Sequence, residues 1–217
     1  MKTVVLATNN AHKASEIANA LAFPNWEFKT LREMGIVSNP AEDADSFEGN
    51  ARIKAQAARK AAGGHIAALA DDSGLEVDAL DGAPGVLSAR YASAGNYDCD
   101  DEANNQKLLS ELAGVADDRR TARFVSTLVF IDDDGTETVA HGTIEGVIGH
   151  ESRGSEGFGY DPLFWPDVFD RTCTLAEVSQ EQKNAVSHRG NALRALRDKL
   201  EQRAQSSSCN DNQIAAR

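Results

Sequence analysis

The stretch that most constrains this chain is an apolar run, Ile66-Ala67-Ala68-Leu69-Ala70, that passes directly into two adjacent carboxylates, Asp71 and Asp72. Ser73 and Gly74 follow, then an alternating segment, Leu75-Glu76-Val77-Asp78-Ala79. The uninterrupted apolar residues predict a buried strand, and the acids with the glycine predict that it ends in a turn facing solvent or ligand. Acids at strand ends are common in plain solvated turns, so the rest of the chain has to decide between the two.

Near the start, Thr3-Val4-Val5-Leu6-Ala7 reads as a central strand broken by Thr8-Asn9-Asn10-Ala11-His12-Lys13. Ala14, Ile17, Ala18 and Leu21 then recur at helical spacing. Strand, polar turn and helix is either an ordinary capped loop or a place where backbone N–H groups and the helix dipole face a phosphate, with Thr8, Asn10 and Lys13 beside it. A loosely patterned segment leads to an acidic loop, Asn39 to Asp45. Asp45 with Glu48 resembles a capping box before an alanine-rich helix over Phe47 to Ala62. On that helix Lys54 lies within reach of the acidic loop.

Farther on, Asp100 to Ala113 predicts a helix, and Thr121 to Ile131 with Thr136 to Ile148 predicts a hairpin turning at Asp132-Asp133-Asp134-Gly135. Gly154 to Pro162 is glycine-rich around Phe158 and Tyr160, a flexible rim with a ring for stacking a base. Thr174 to Ala185 predicts a helix, Ser187-His188-Arg189-Gly190 interrupts it, and Leu193, Leu196 and Leu200 continue an amphipathic one. A hairpin among strand–helix units favours a mixed sheet and an α/β fold. The expected organisation is one domain over residues 1–204, with a disordered tail from Gln205 to Arg217.

At 217 residues and 41% apolar content the chain can bury a sizeable core. Its 34 acidic and 22 basic residues give a net charge of -12, which disfavours nucleic acid and anionic membrane as partners. No apolar run is long enough to span a membrane, and no signal peptide is evident, so a cytoplasmic protein is expected. Cys99, Cys173 and Cys209 lack metal or disulfide spacing and read as reduced thiols. His12, His65, His141 and His150 have no metal-spaced partner.

Three polar groups remain. They are the Thr8–Lys13 turn with Lys54, the acids Glu42, Asp71 and Asp72, and the Phe158–Asp161 loop with Lys183, His188 and Arg189. Lysines suit phosphate oxygens. Carboxylates meeting in a cleft suit Mg²⁺, which takes one or two of them together with substrate phosphates. An aromatic with donors beside it suits a nucleobase. Together they describe a nucleoside polyphosphate bound with magnesium, with water as acceptor and a carboxylate as general base. There is no P-loop sequence and no Gly-x-Ser-x-Gly, which removes P-loop NTPases and acyl chemistry.

Six stretches in order resemble one family: Ala7-Thr8-Asn9-Asn10-Ala11-His12-Lys13; Asn50-Ala51 with Lys54; Ala70-Asp71-Asp72-Ser73-Gly74-Leu75; Pro84-Gly85-Val86 with Ser88-Ala89-Arg90-Tyr91; Gly157-Phe158-Gly159-Tyr160-Asp161-Pro162; and Ser187-His188-Arg189-Gly190. The chain resembles the inosine triphosphate pyrophosphatase family, which acts on noncanonical purine nucleoside triphosphates, over residues 2–202. The resemblance implies an elongated, two-lobed, three-layer α/β fold with a long mixed sheet, a central active-site cleft and a homodimer. It implies Mg²⁺-dependent hydrolysis of ITP, dITP and XTP to monophosphate and pyrophosphate. By position, Thr8, Asn9, Asn10, Ala11, His12, Lys13 and Lys54 would hold the triphosphate. Asp72 would be general base and metal ligand, with Glu42 as second ligand. Ser73, Phe158, Gly159, Tyr160, Asp161, Lys183, His188 and Arg189 would bind the nucleotide, Phe158 by stacking and Arg189 by donating to the base.

One departure stands out. The acidic loop is one residue shorter than in many relatives and lacks their usual glycine, which leaves Glu42 and Asp43 as competing ligands. Two other readings compete with the main one: a septum-formation-type pyrophosphatase on pyrimidine or modified nucleotides, and a nucleotide-binding module without catalysis. A sensor needs no general base, so the acids and lysines favour an enzyme.

Overall fold

The computed structural model describes the backbone of residues 1–8 and 11–214, and side-chain surroundings for residues 1–8 and 13–206. Its framework is a six-stranded mixed sheet in the order β2-β1-β3-β4-β5-β6. The strands are β1 (Lys2–Leu6), β2 (Trp26–Thr30), β3 (Ala67–Val77), β4 (Thr121–Ile131), β5 (Glu137–Ile148) and β6 (Phe164–Pro166). The helices are α1 (Ala11–Ala20), α2 (Phe47–Ala61), α3 (Asp101–Glu111), α4 (Gln180–Val186) and α5 (His188–Ile214). β1 lies parallel to β2 and β3, while β3, β4, β5 and β6 are antiparallel in turn. No described helix is long and apolar enough to cross a membrane.

Alternation along the strands sorts the core. Leu69 of β3 and Leu128 of β4 face α1 and α5, packing with Ile17 and Leu196. Ala68, Ala70 and Val129 face the opposite way, against Ala51, Ala55 and Ala58 of α2. Alanines on both surfaces let α2 lie close to the sheet. Beyond the middle of β3, Leu75 and Val77 join Leu108 and Leu112 of the α3 region with Phe124, Tyr160 and Phe164. The long strands β3–β5 are therefore shared by two packed lobes.

The strand predicted to end at Asp71 does not end there. β3 pairs with β4 without a break from Ala68↔Ile131 to Val77↔Ala122, and Asp71 and Asp72 sit at its middle. What stops is β1: it pairs with β3 only over Ala67–Leu69. One edge of β3 loses its neighbour where the acids begin, and backbone bonding to β4 keeps the strand intact.

Other boundaries also move. The cap of α2 is Ser46, whose hydroxyl accepts the Gly49 N–H at 3.2 Å, rather than the predicted Asp45–Glu48 box. The helix predicted from Thr174 begins only at Gln180, where Ser179 and Gln182 form a reciprocal capping box. β2 and β6 carry too few residues for alternation to reveal them. Helix α5 continues past Gln205, where the apolar periodicity ends and a disordered tail is expected. Adding residues of middling propensity to a packed helix costs little. Residues 215–217 lie outside the described part.

Candidate active site

β3 carries the two acids to the floor of a cleft of about 750 Å³. Because side chains alternate on a strand, Asp71 points to the α1/α5 side and Asp72 to the α2 side. Each acid then meets its own cations.

Asp71 is fully enclosed. Its Oδ2 lies 2.7 Å from Lys13 Nζ and 3.4 Å from Arg189 Nε, and its Oδ1 accepts the Ser126 hydroxyl at 2.6 Å. Burial opposes ionisation, but Lys13 and Arg189 outweigh it and hold the carboxyl far below the usual carboxylate range. The same set ties in Ser73, whose Oγ lies 3.1 Å from Lys13 Nζ, and Glu16, whose Oε2 lies 2.6 Å from Arg189 Nη1.

Asp72 faces Lys54 of α2. Lys54 Nζ stands 2.6 Å from Asp72 Oδ1 and 3.1 Å from Glu42 Oε2, so one ammonium serves two carboxylates. Burial pushes the Asp72 carboxyl above its ordinary value, opposed only in part by Lys54, and Glu42 adds to the rise. Burial lowers the Lys54 ammonium, yet Asp72 and Glu42 together leave it raised. The trio carries an excess of negative charge and exposes hard oxygen donors. Its position is set by Asn50, a buried side chain on α2 whose Oδ1 accepts the Ala44 N–H at 3.0 Å, and by Arg90, whose Nη2 donates to the Glu42 carbonyl at 3.1 Å. Glu42 lines the cleft, whereas Asp43 is exposed outside it. Of the two acids in the shortened loop, the one that faces the cleft is therefore Glu42.

At the other end of the cleft, Phe158 exposes its ring, 44% accessible, with Lys183 Nζ 4.4 Å from the ring centre. Lys183 is itself buried and ion-paired with Asp161, whose Oδ2 also accepts the Phe158 N–H at 2.8 Å. Burial raises the Asp161 carboxyl, and Lys183 only partly offsets it. Tyr160 is buried in the core and donates its hydroxyl to the Ser88 carbonyl at 2.8 Å. Asp161 and Tyr160 thus hold the loop, and Phe158 is the ring it presents.

His188 and Arg189 open α5. The expectation that Arg189 donates to a base meets a different arrangement: Nε, Nη1 and Nη2 bond to Asp71, Glu16 and Ser73. His188 is buried, stacks on Phe124 with centroids 5.0 Å apart and planes at 16°, and has no partner at Nδ1 among the described residues. Burial, then the Arg189 charge, pushes its pKa well below 6.5, so it is neutral. The close approach of α5 to β5 is possible because residue 142 is glycine: a Cβ there would lie 2.2 Å from the Ala192 nitrogen and 2.3 Å from the His188 carbonyl oxygen.

Thr8, Lys13, Lys54, Ser73, Gly159 and the other predicted groups just described line this one cleft. Asn9 and Asn10, and the side chains of Ala11 and His12, lie outside the described residues. Sequence reasoning missed Glu16, Arg90, Phe124 and Ser126. Two of them carry a signal: Arg90 lies in one of the six motif stretches without a role assigned to it, and Glu16 sits one helical turn beyond Lys13. The acidic run Asp132–Asp134, which brings three carboxylates together, is the β4–β5 turn as expected and pairs with Lys2.

Residues 4–199 match the model of the Ham1 family. The chain belongs to that family. It is 46% identical over 205 residues to a dITP/XTP pyrophosphatase of Clostridium perfringens, covering 92% of this chain and 98% of the relative. To the dITP/XTP pyrophosphatase of Bacillus subtilis it is 44% identical, covering 93% and 98%. Among solved structures, a HAM1 protein from Coxiella burnetii superposes with a TM-score of 0.83 at 38% identity, covering 93% of this chain and all of that one. The Staphylococcus aureus Ham1 protein superposes at 0.82 with 39% identity and the same coverage. The α/β architecture and its mixed sheet are those of Ham1 proteins.

Proposed function

We propose that this chain hydrolyses noncanonical purine nucleoside triphosphates, dITP, XTP and ITP, to the nucleoside monophosphate and pyrophosphate. The observation that carries the reading is one cleft holding the Lys13–Asp71 and Lys54–Asp72–Glu42 clusters at one end and an exposed, cation-backed aromatic at the other. That is a charge-handling end and a base-handling end in one cleft, in a Ham1 protein whose near relatives are named dITP/XTP pyrophosphatases.

Asp72 and Glu42 fit a hard divalent cation: both are carboxylates, both face the cleft, and Lys54 alone leaves them with excess negative charge. Bound Mg²⁺ would screen the phosphate charge that otherwise repels an incoming water. Lys13 and Lys54 exchange carboxylate partners for phosphate oxygens and orient the chain of phosphates. Asp72 accepts the proton of the attacking water as its oxygen bonds to the α-phosphorus. The α–β anhydride bond breaks, and pyrophosphate leaves. Phe158 stacks on the purine. A fixed donor at the 6-position satisfies the oxygen of hypoxanthine or xanthine and faces the amino group of adenine donor to donor, a mismatch costing about 1–3 kcal/mol.

The expected form is a Mg²⁺-dependent cytoplasmic homodimer, checked by metal dependence and by the mass in solution. The deciding experiment is turnover of dITP, ITP, XTP, GTP, ATP and UTP with Mg²⁺, with product analysis. Pyrophosphate from the first three, far faster than from ATP, is expected. Orthophosphate as product, or preference for UTP, would overturn the reading.

A further inference from the structure

The base-handling loop is also held by α3, whose Asp101 lines the same cleft. Gly159 follows the stacking ring of Phe158 and adopts a left-handed backbone, φ +63°, with Gly157 at +80° before it. Two glycines flanking one ring give the backbone a wide choice of conformations, and ordering it on binding would weaken affinity. Both polar groups of Gly159 are nevertheless tied down by α3. Its N–H donates to Asp101 Oδ2 at 2.6 Å, and its carbonyl accepts Asn105 Nδ2 at 3.0 Å. Residues 101 and 105 stand one helical turn apart and face the same way.

Neither side chain is needed to build α3. The helix is capped by Asp100, whose Oδ1 accepts the Ala103 N–H at 2.7 Å, which leaves the Asp101 carboxylate to the loop. Asn105 is buried, with its Oδ1 unpartnered among the described residues. An asparagine kept there for packing alone would be a poor choice, since it leaves a buried acceptor unsatisfied. Its one described bond is the one to Gly159. The Phe158 N–H is meanwhile taken by Asp161. The peptides on both sides of Phe158 are thus fixed, one by Asp161 and the other by Asp101.

We infer that Asp101 and Asn105 are positioning residues that preset the Phe158 ring, so that purine affinity in this site is partly set by α3. The inference rests on the proposed function only for the identity of the ligand on the ring.

The test compares Asp101→Ala, Asp101→Asn and Glu102→Ala in the full chain, with Asn105→Ala as a second, buried probe. Loss of one charge-assisted bond should raise KM for ITP and the inhibition constant of IMP by about tenfold in Asp101→Ala. Its kcat should stay within about twofold, because the reacting end of the cleft is untouched. Inhibition by inorganic tripolyphosphate, which has no base, should not change. Asp101→Asn keeps an acceptor and should recover most of the affinity, and Glu102→Ala should match the wild type. Equal weakening of IMP and tripolyphosphate, or no change in either, overturns the inference. Amide exchange at Phe158 and Gly159 is read in parallel without nucleotide. Faster exchange by about tenfold in Asp101→Ala is expected, and unchanged protection also overturns it. If the wild type hydrolyses no purine triphosphate, the proposed function fails while the exchange result still decides the role of α3.

Discussion

Asp71 and Asp72 are consecutive in β3, yet their carboxylates lie on opposite faces of the sheet, the first bonded to Lys13 and Arg189 and the second to Lys54. A strand forces that separation, and it gives the neighbours different fates on substitution. Asp71→Asn removes the charge shared by the buried Arg189 and the partly buried Lys13 and is expected to cost about 3–5 kcal/mol of stability. Asp72→Asn removes a carboxylate whose ionisation burial already disfavours, and Lys54 keeps Glu42 as partner. It should leave stability within about 1 kcal/mol while cutting kcat by about 10²–10⁴. Urea unfolding and turnover of dITP measure both. A stable Asp71→Asn protein together with an active Asp72→Asn protein would reverse the assignment.

The acidic loop makes a second separation. Glu42 shares Lys54 with Asp72, whereas Asp43 is exposed beyond the cleft. Glu42→Ala should raise the Mg²⁺ concentration for half-maximal rate by about 10- to 100-fold, and Asp43→Ala should leave it within about twofold. A magnesium titration of both variants checks this, and the opposite order would move the ligand role to Asp43.

How much of this was legible in the sequence depends on the range of the forces involved. The strands β3, β4 and β5 and the helices α2 and α3 follow from local periodicity, and the motifs name many of the residues that line the cleft. The sequence could not show that β3 runs on past Asp71, because its continuation depends on pairing with β4, about fifty residues away. Nor could it show that Arg189 bonds to Glu16, which is 173 positions distant. Two-sided placement of Asp71 and Asp72 follows from strand alternation alone once the strand is known to continue. The predicted turn hid it.

Gly142 is a third test, of how α5 reaches the cleft. A methyl group there would press on the backbone of His188 and Ala192 at 2.2–2.3 Å, and backbone cannot rotate away. Gly142→Ala should cost about 1–3 kcal/mol, a fall in Tm of roughly 2–12 °C for a chain of this size. Because α5 carries His188 and Arg189 on its first turn, kcat/KM should fall with it, by about tenfold. A variant with full activity and an unchanged Tm would show that α5 need not approach so closely.

His188 sets a pH dependence whose sign can be worked out. In the folded chain burial, followed by the Arg189 charge and the more distant Lys183 and Lys13, holds the imidazole well below 6.5, and Asp71 opposes this only in part. In the unfolded chain the ring takes up a proton as pH falls through about 6.5. The unfolded state therefore binds more protons than the native state below that pH, and stability falls as the solution is acidified. The loss starts near pH 6.5 and continues until the native ring itself titrates. From about pH 7.5 to about pH 5.5 this one group should lower stability, by on the order of 1 kcal/mol. His188→Gln lacks the titration while keeping polar atoms in the same place. Urea unfolding of both proteins at the two pH values isolates the effect, since the remaining groups are common to both and cancel in the difference. The wild type should lose more stability than His188→Gln on acidification, by on the order of 1 kcal/mol. An equal loss in the two proteins would mean that the folded ring accepts its proton as readily as the unfolded one, and that His188 is not sealed against Phe124.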